Sequence, residues 1–431
     1  MDLMDKIKYH SALIGVIGLG YVGLTLAVDI AKAGYTVIGI ESNSERVQQI
    51  VNCHNNISSI AEIDIKQAIG KRTLNVTAEI EEIKSCDVII ICVPTPLDVY
   101  KQPDVSYIQR ASLSISEYMH RDLLVILQST TYPGTTIELV KPILETGGYV
   151  VGKDFYLAFS PERIDPGNEV YNISNTPKVV GGVTEVCCDK ASFFFSESLQ
   201  CEIVKVSTTN VAEMSKLLEN TYRSINLGFI NEFAIICNYM GINVWEVIEA
   251  AKTKPFGFQY FYPGPGVGGH CIALDPYYLS WKARQYNIHA TMIETSGIVL
   301  ENMPRYIMNR LIVFMNEHRI AVNGAKVLLI GIAYKANVDD YRESPALKLI
   351  DLLEDMEAHI DYHDPFIPQL VYNGISRSSI KLESKILQEY DVLVIVTAHD
   401  LVDYKIIVES AKLIFDTRNI LNRVNHKIAR I

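Results

Sequence analysis

LIGVIGLGYVG (residues 13–23) decides how the chain is read. The apolar run at 13–17 has the length and β-branched content of a buried strand. Glycines then fall at 18, 20 and 23, the spacing of a turn that opens a helix. In that arrangement Gly18 permits the tight turn, Gly20 lets the backbone approach a pyrophosphate, and Gly23 lets the helix pack on the strand, with Tyr21 and Val22 in the helix's first turn. A second run, TVIGI (36–40), ends at Glu41. An acid about 20 residues beyond such glycines hydrogen-bonds a ribose 2′-hydroxyl and repels a 2′-phosphate. NAD is therefore the expected cofactor rather than NADP, although Arg46 is placed to tolerate a 2′-phosphate. A glycine-rich turn that holds no ligand is the plain alternative.

Outward from this unit, apolar runs recur at 87–93 (DVIIICV), 123–127 (LLVIL), 155–159 (FYLAF) and 178–182 (KVVGG), with stretches of helical periodicity between them. That is how a doubly wound α/β sheet reads, and residues 1–206 are expected to form a Rossmann-like domain. Around Asn210 the alternation stops. From there about 30 residues carry apolar positions at helical spacing and no proline, which predicts one long helix. A helix apolar around much of its girth needs a partner on more than one side, so a homodimer or higher homo-oligomer is expected through a central helical segment, 207–310. The α/β pattern returns in AKVLLIGIAYK (325–335), HIDYHDP (359–365), DVLVIVTAHD (391–400) and KLIFDTRN (412–419), giving a second, smaller α/β domain over 311–431.

Composition narrows the partners. The 431 residues are 48% hydrophobic and 21% charged, as in a globular protein with more than one core, and the net charge is −11. Nucleic acid and anionic membrane surfaces are bound by clustered Lys and Arg, so neither is expected as a partner. No apolar run reaches the roughly 20 residues of a membrane span, and MDLMDKIKYH lacks the apolar core of a signal peptide, which makes the cytoplasm the expected compartment. The eight cysteines are scattered, without zinc-ligand spacing. No metal or disulfide is expected, and most of these cysteines read as small buried apolar residues.

Four other stretches carry candidate chemistry. Pro94 and Thr95 in CVPTP (92–96) and Thr130 in QSTTYPGTT (128–136) lie at carboxyl ends of predicted strands, where open α/β sheets bind ligands; ordinary turn chemistry would account for the same prolines. PGPGVGGHC (263–271) presents a thiol on a glycine-rich loop, which lets Cys271 reach a bound substrate as a nucleophile, with Asp275 one helical turn further on. A buried structural cysteine is the alternative there. Lys216 and Asn220, at i and i+4 on the long helix, share a face. They would stabilise an oxyanion or order a water, unless they are only the polar side of an exposed helix.

From Gly15 to about Asn419 these motifs resemble the UDP-glucose/GDP-mannose dehydrogenase family. GLGYVG (18–23), CVPTP, STTYPGTT, SPER (160–163), EMSKLLENTYRSINLGFINE (213–232), GPGVGGHCIALDPYYL (264–279), GIAYKANVDDYRESPA (331–346) and FDTRN (415–419) occur in family order. The resemblance implies two Rossmann-like domains joined by a helical dimerising segment, with NAD on the first and the UDP moiety on the last. It implies a four-electron oxidation of a sugar C6 alcohol that uses two NAD⁺ in turn, with Cys271 holding the sugar as a thiohemiacetal and then a thioester. It assigns Lys216 and Asn220 to the oxyanion and a water, Asp275 to their support, and Glu162 with Thr130 to the hydrolytic water. Arg342 is implied on the cofactor side; Arg163, Tyr262, Gly268, Lys335 and Arg418, together with Glu162, Lys216 and Asn220, are implied on the substrate side.

Two features depart from the UDP-glucose branch: Pro-Glu-Arg at 161–163 in place of Pro-Glu-Phe, and FGFQYFYPGPGVGGHC (256–271) before the cysteine. Both are similar to the branch acting on UDP-N-acetylhexosamines. UDP-N-acetylglucosamine is the expected substrate, ahead of its manno epimer, UDP-N-acetylgalactosamine and UDP-glucose, and the resemblance implies a role in making surface-polysaccharide precursors. Two rivals stand beside this reading. A two-electron dehydrogenase of the 6-phosphogluconate or hydroxyacid type would yield one NADH per substrate and need no thiol. A non-catalytic NAD- or UDP-sugar-binding regulator would tolerate loss of Cys271.

Overall fold

Short apolar runs, each followed by a helix, can bury both faces of a sheet, and a computed structural model shows where each run lies. It describes residues 1–54, 60–165, 168, 170–269 and 271–431, the side chain of Cys271 excepted. The chain divides into two compact units, Met1–Glu219 with Tyr277–His289, and Asn220–Pro276 with Ala290–Ile431.

The first unit contains β1 (Leu13–Ile17), β2 (Thr36–Ile40), β3 (Leu74–Thr77), β4 (Val88–Ile91), β5 (Leu124–Leu127), β6 (Tyr156–Phe159), β7 (Lys178–Gly182) and β8 (Ile203–Val206). They form one sheet in the order β3-β2-β1-β4-β5-β6-β7-β8. The sequence reading gives β1, β2 and β7 residue for residue and contains β4, β5 and β6. It misses β3 and β8, whose residues are mostly half-buried or exposed and so lack a continuous apolar run. Along β4, Val88 and Ile90 point into one apolar layer with Leu24 and Phe194. Ile89 and Ile91 point into the opposite layer with Ile108 and Ile115. This two-residue alternation covers both faces, and each fully buried side chain of this size contributes about 1.5–3 kcal/mol.

The strands pair in parallel except β6 with β7, which run antiparallel through Ala158↔Gly182 and Phe159↔Gly181. A parallel return needs a crossover of a dozen or more residues, usually a helix. The connection 160–177 has no helix among its described residues, so the chain turns back, and the SPER motif lies in this reversal. β1 pairs with β2 on one side and β4 on the other. The strand order reverses there, and the carboxyl ends of β1 and β4 flank the crevice in which such sheets bind ligands.

The second unit contains β9 (Lys326–Ile330), β10 (His359–His363), β11 (Gln369–Tyr372), β12 (Ile375–Ser378), β13 (Val392–Ile395), β14 (Ile414–Asp416) and β15 (Ile428–Arg430). Its main sheet, β10-β9-β13-β14-β15, is all parallel, and β11–β12 is a separate hairpin. Asn373 and Gly374, both at positive φ, make the hairpin's two-residue turn. The core joins Val327, Leu329, Val394 and Phe415 of the sheet to Ile307, Leu311 and Phe314 of the helix Thr291–Glu317.

The predicted long helix spans Thr209–Tyr239, 31 residues, beginning in the first unit and continuing in the second. Leu217, Ile230, Ala234 and Cys237 are buried, while Val211, Met214, Leu218, Tyr222, Phe229 and Ile236 are exposed. The exposed set recurs at intervals of three, four and seven residues and forms one apolar stripe. No helix among the described residues is long and apolar enough to cross a membrane.

Candidate active site

In the first unit the glycine turn has the shape its spacing predicts. Gly18 lies at φ +92°, and a Cβ there would come 2.7 Å from the carbonyl oxygen of Cys92. A Cβ at Gly23 would come within 1.8 Å of the carbonyl oxygen of Gly18, whereas one at Gly20 would meet nothing within 4 Å. Gly20 is the N-cap of the helix Tyr21–Lys32 and offers no side chain to its first-turn amides. The N–H groups and positive end of that helix are thus left for an anion, which is the fit a dinucleotide pyrophosphate requires. Glu41 is fixed beside the turn, its two oxygens accepting from the backbone N–H of Leu19 (3.1 Å) and of Asn43 (3.0 Å). Arg46 is half-buried in the helix Ser44–Val51 that follows. The CVPTP loop is held from two sides: Ser129 Oγ donates to the Val93 carbonyl at 2.8 Å, and the buried Tyr278 hydroxyl donates to the carbonyls of Thr95 and Pro96.

The STTYPGTT segment is tied to the long helix by Glu213, which is 1% exposed. Its carboxylate accepts from the backbone N–H of Gly134 (2.6 Å), the backbone N–H of Thr136 (2.9 Å) and the Thr136 hydroxyl (2.6 Å). Burial pushes this carboxyl upward against those three donors. Thr130 is half-buried in the same segment. Lys216, one turn beyond Glu213, is 7% exposed, and its side-chain amine has no hydrogen bond or ion pair among the described residues. The plain alternative, a polar residue on an exposed face, does not hold for it.

Glu162 has the opposite environment. One oxygen accepts from Gln128 Nε2 (2.9 Å) and Lys178 Nζ (3.3 Å), the other from the backbone N–H of Arg163 (2.8 Å) and of Ile164 (3.0 Å). Burial opposes ionisation here, but the Lys178 charge and the backbone donors outweigh it and hold the carboxyl below the usual range. Arg163 donates to the Pro177 carbonyl (2.8 Å) and pairs with Glu219 (2.8 Å).

In the second unit Asn220 Nδ2 donates to the buried carboxylate of Asp275. Cys271 opens the helix Cys271–Arg284 that carries Asp275; the Cys271 side chain and His270 lie outside the described residues. The loop leading to this helix is packed closely. The Gly264 N–H donates to Asn231 Oδ1 (2.9 Å), and a Cβ on Gly264 would sit 2.5 Å from the Arg418 guanidinium. Arg418 Nε donates to the Val396 carbonyl at 2.8 Å. Burial lowers the Arg418 pKa to about 10, with Asp416 opposing, so the side chain remains a cation at neutral pH. Cβ atoms on Gly268 and Gly269 would come 2.7 and 2.8 Å from Tyr334, and the Gly269 N–H donates to the Arg342 carbonyl (3.0 Å). Lys335, next to Tyr334, is half-buried.

Two candidates are held by charged neighbours. The exposed Arg342 guanidinium grips the Asp340 carboxylate at 2.6–3.1 Å. The Tyr262 hydroxyl donates to Glu249 (2.6 Å) and accepts from Lys252 (3.3 Å).

Residues 12–198 match the NAD binding domain of the UDP-glucose/GDP-mannose dehydrogenase family, residues 210–299 its central domain and residues 328–423 its UDP binding domain. The chain belongs to this family. It is 38% identical over 355 residues to UDP-N-acetyl-D-glucosamine 6-dehydrogenase of Pseudomonas aeruginosa, covering 82% of this chain and 83% of that protein. It is 34% identical over 417 residues, 95% of this chain and 96% of the relative, to UDP-N-acetyl-D-mannosamine dehydrogenase of Pyrococcus horikoshii. The solved structure of UDP-D-ManNAc dehydrogenase from Pyrococcus horikoshii matches with a TM-score of 0.87, at 34% identity, over 97% of this chain and 99% of that one. As a member of the UDP-glucose/GDP-mannose dehydrogenase family the chain is an NAD-dependent oxidoreductase of nucleotide sugars. The Gly18–Gly23 turn falls in its NAD binding domain, and Lys335 and Arg418 fall in its UDP binding domain.

Several residues that hold this dehydrogenase's candidate groups in place carried no role in the sequence reading: Gln128 and Lys178 on Glu162, Glu213 on the STTYPGTT segment, Asn231 on Gly264, and Asp364 and His399 in the second unit. The available signal was a polar residue set against apolar neighbours, as Glu213 is among the buried positions of the long helix, and as His399 is just beyond the apolar strand β13; Asp364 follows the mostly polar β10 and had no such signal.

Proposed function

We propose that this dehydrogenase oxidises the C6 hydroxyl of a UDP-N-acetylhexosamine to the carboxylate, with UDP-N-acetylglucosamine as the preferred sugar. The observation that carries the reaction is a buried Lys216 without a partner among the described residues, one helical turn from an Asn220 whose amide is held by Asp275 in the helix opened by Cys271.

Gly18, Gly20, Tyr21, Val22, Gly23 and Glu41 would hold NAD, with Arg46, Pro94, Thr95, Thr130 and Arg342 as further cofactor-side residues, and NAD when bound would supply the hydride acceptor for each of two oxidations. The chain supplies the rest. The thiolate of Cys271 adds to the C6 aldehyde, forming a C–S bond and an oxyanion that Lys216 and the Asn220 amide stabilise. When the sugar is held as a thioester, water adds at C6, the C–S bond breaks, and the thiolate leaves with the carboxylate as product. Covalent attachment keeps the reactive aldehyde from escaping. Glu162 and Thr130 order that water; Glu162, kept ionised by its four donors, does so as an acceptor. Asp275 orients Asn220. Arg163, Tyr262, Gly268, Lys335 and Arg418 hold the sugar and the UDP, the cations meeting the diphosphate charge on a protein of net charge −11. A step that runs through a free thiolate suits a reducing compartment, the cytoplasm.

The 38% identity to the UDP-N-acetyl-D-glucosamine 6-dehydrogenase supports the gluco sugar. The fuller coverage by the UDP-N-acetyl-D-mannosamine dehydrogenase makes its manno epimer the second reading. NADH yield with limiting UDP-N-acetylglucosamine, UDP-N-acetylmannosamine, UDP-N-acetylgalactosamine and UDP-glucose tests both levels. Two NADH per sugar, with the highest kcat/KM for UDP-N-acetylglucosamine, is the expected outcome. A preference for another sugar overturns the substrate, one NADH per sugar overturns the four-electron course, and none with any sugar leaves a binding regulator.

The apolar stripe on Thr209–Tyr239 supports a homodimer joined along that helix. Light scattering is expected to give the mass of two chains or a multiple of it; a monomer at micromolar concentration would refute this.

A further inference from the structure

Three segments of the second unit meet at the carboxyl ends of neighbouring strands, because β9 lies between β10 and β13. β9 leads into Gly331–Asn337, which carries Tyr334 and Lys335; β10 leads into Asp364; β13 leads to His399. Asp364 is 2% exposed and His399 is fully buried. One carboxylate oxygen of Asp364 accepts from the backbone N–H of Ile332 (2.7 Å) and of Ala333 (2.9 Å), and lies 3.1 Å from His399 Nε2. The other accepts from Phe366 N–H (2.8 Å) and Ile367 N–H (3.2 Å). His399 Nδ1 lies 3.0 Å from the backbone nitrogen of Asn337.

This geometry fixes the tautomer. Asn337 can only donate through its N–H, so Nδ1 must accept, and the ring proton sits on Nε2, where it is donated to Asp364. The pair therefore grips both ends of one short segment, Asp364 at 332–333 and His399 at 337. Asn337 is at φ +61° and is tied again to Asp400, its amide donating to the carboxylate (2.7 Å) and its side-chain oxygen accepting from the Asp400 N–H (3.0 Å). Between the two grips stand Lys335 and Tyr334, the latter packed against Gly268 and Gly269.

We infer that Asp364 and His399 are a positioning pair for the substrate: they set the 332–337 segment so that Lys335 meets the UDP moiety and Tyr334 seats the glycines that precede the helix of Cys271. This rests on the reading that Lys335 serves the nucleotide. Neither residue touches substrate, and their effect passes through the backbone of the segment they hold.

Two substitutions separate the grips. His399→Gln keeps an N–H near the position of Nε2, so the buried Asp364 stays partnered, but it offers no acceptor to Asn337. His399→Asn places an amide oxygen near the position of Nδ1 and restores that acceptor, while giving up Asp364, which retains four backbone donors. UDP binding by calorimetry is the readout, with KM for the UDP-sugar and for NAD alongside. His399→Gln is expected to weaken UDP about tenfold and raise the sugar KM in step while leaving the NAD KM unchanged, the scale of one lost hydrogen bond with a part-buried donor left unpaired. His399→Asn is expected to recover most of that loss. Equal UDP affinity in both variants, whether reduced or at the wild-type level, overturns the inference, because a merely structural histidine would not distinguish them. Lys335→Ala is the control for the underlying reading: if it leaves UDP binding unchanged, Lys335 does not serve the nucleotide. If it weakens UDP while His399→Gln does not, the positioning pair alone is refuted.

Discussion

Cys271→Ala is expected to lower the rate of carboxylate formation by at least about a thousandfold, the scale on which removal of a covalent nucleophile acts. NADH yield should fall to no more than one per sugar, because the first oxidation leaves an aldehyde and needs no thiol, while the second acts on the thiohemiacetal. NAD and UDP affinities should be retained, since neither the Gly18–Gly23 turn nor the 332–337 segment depends on the thiol. Nor should another cysteine substitute. Burial pushes the thiols of Cys86 and Cys92 up to about 12, and those of Cys201 and Cys237 upward, and the thiolate is the nucleophile. Cys188 is buried and donates to the Val180 carbonyl. Acid production at the wild-type rate by Cys271→Ala, followed by chromatography of the sugar product, would refute the covalent route. A normal two-NADH yield would refute it independently.

The parts of this molecule that were legible in the sequence are those decided by neighbours along the chain. β1, β2 and β7 are continuous apolar runs ended by glycine or an acid, and the turn at 18–23 needs glycine for reasons local to one strand and one helix, so spacing alone places them. The parts that were not legible depend on residues far apart. The antiparallel return of β7 onto β6 follows from the lack of a crossover helix in the SPER connection. The edge strands β3 and β8 are half-exposed and carry little periodic signal. Glu213 reaches Gly134 and Thr136 across more than seventy residues, and Asp364 reaches His399 across thirty-five. Neither link leaves a pattern in a window of local sequence. Lys216 is the intermediate case. Its i, i+4 relation to Asn220 was readable, but on a helix with both buried and exposed apolar positions, spacing could not say which face it occupies.

The face it occupies has a consequence that distinguishes chemistry from support. Lys178 and Lys216 are buried to nearly the same degree, 5% and 7% exposed, but Lys178 pairs with Glu162 whereas Lys216 has no partner among the described residues. Burying an amine without a partner costs stability, while breaking a buried ion pair costs more because the remaining charge is left uncompensated. Lys216→Met, which fills the same space without the amine, is therefore expected to leave Tm unchanged or raise it, while lowering kcat about a hundredfold to a thousandfold through loss of oxyanion stabilisation. Lys178→Met should instead lower Tm by leaving the buried Glu162 carboxylate, with its three remaining donors, without a counter-charge. Thermal melts of both variants beside single-turnover kinetics decide the matter. If Lys216→Met loses Tm as Lys178→Met does, or keeps its kcat, the lysine is a prop for the helix rather than the group that meets the developing charge. A more stable but slower enzyme is the signature of a residue kept at a cost to folding for the sake of the transition state.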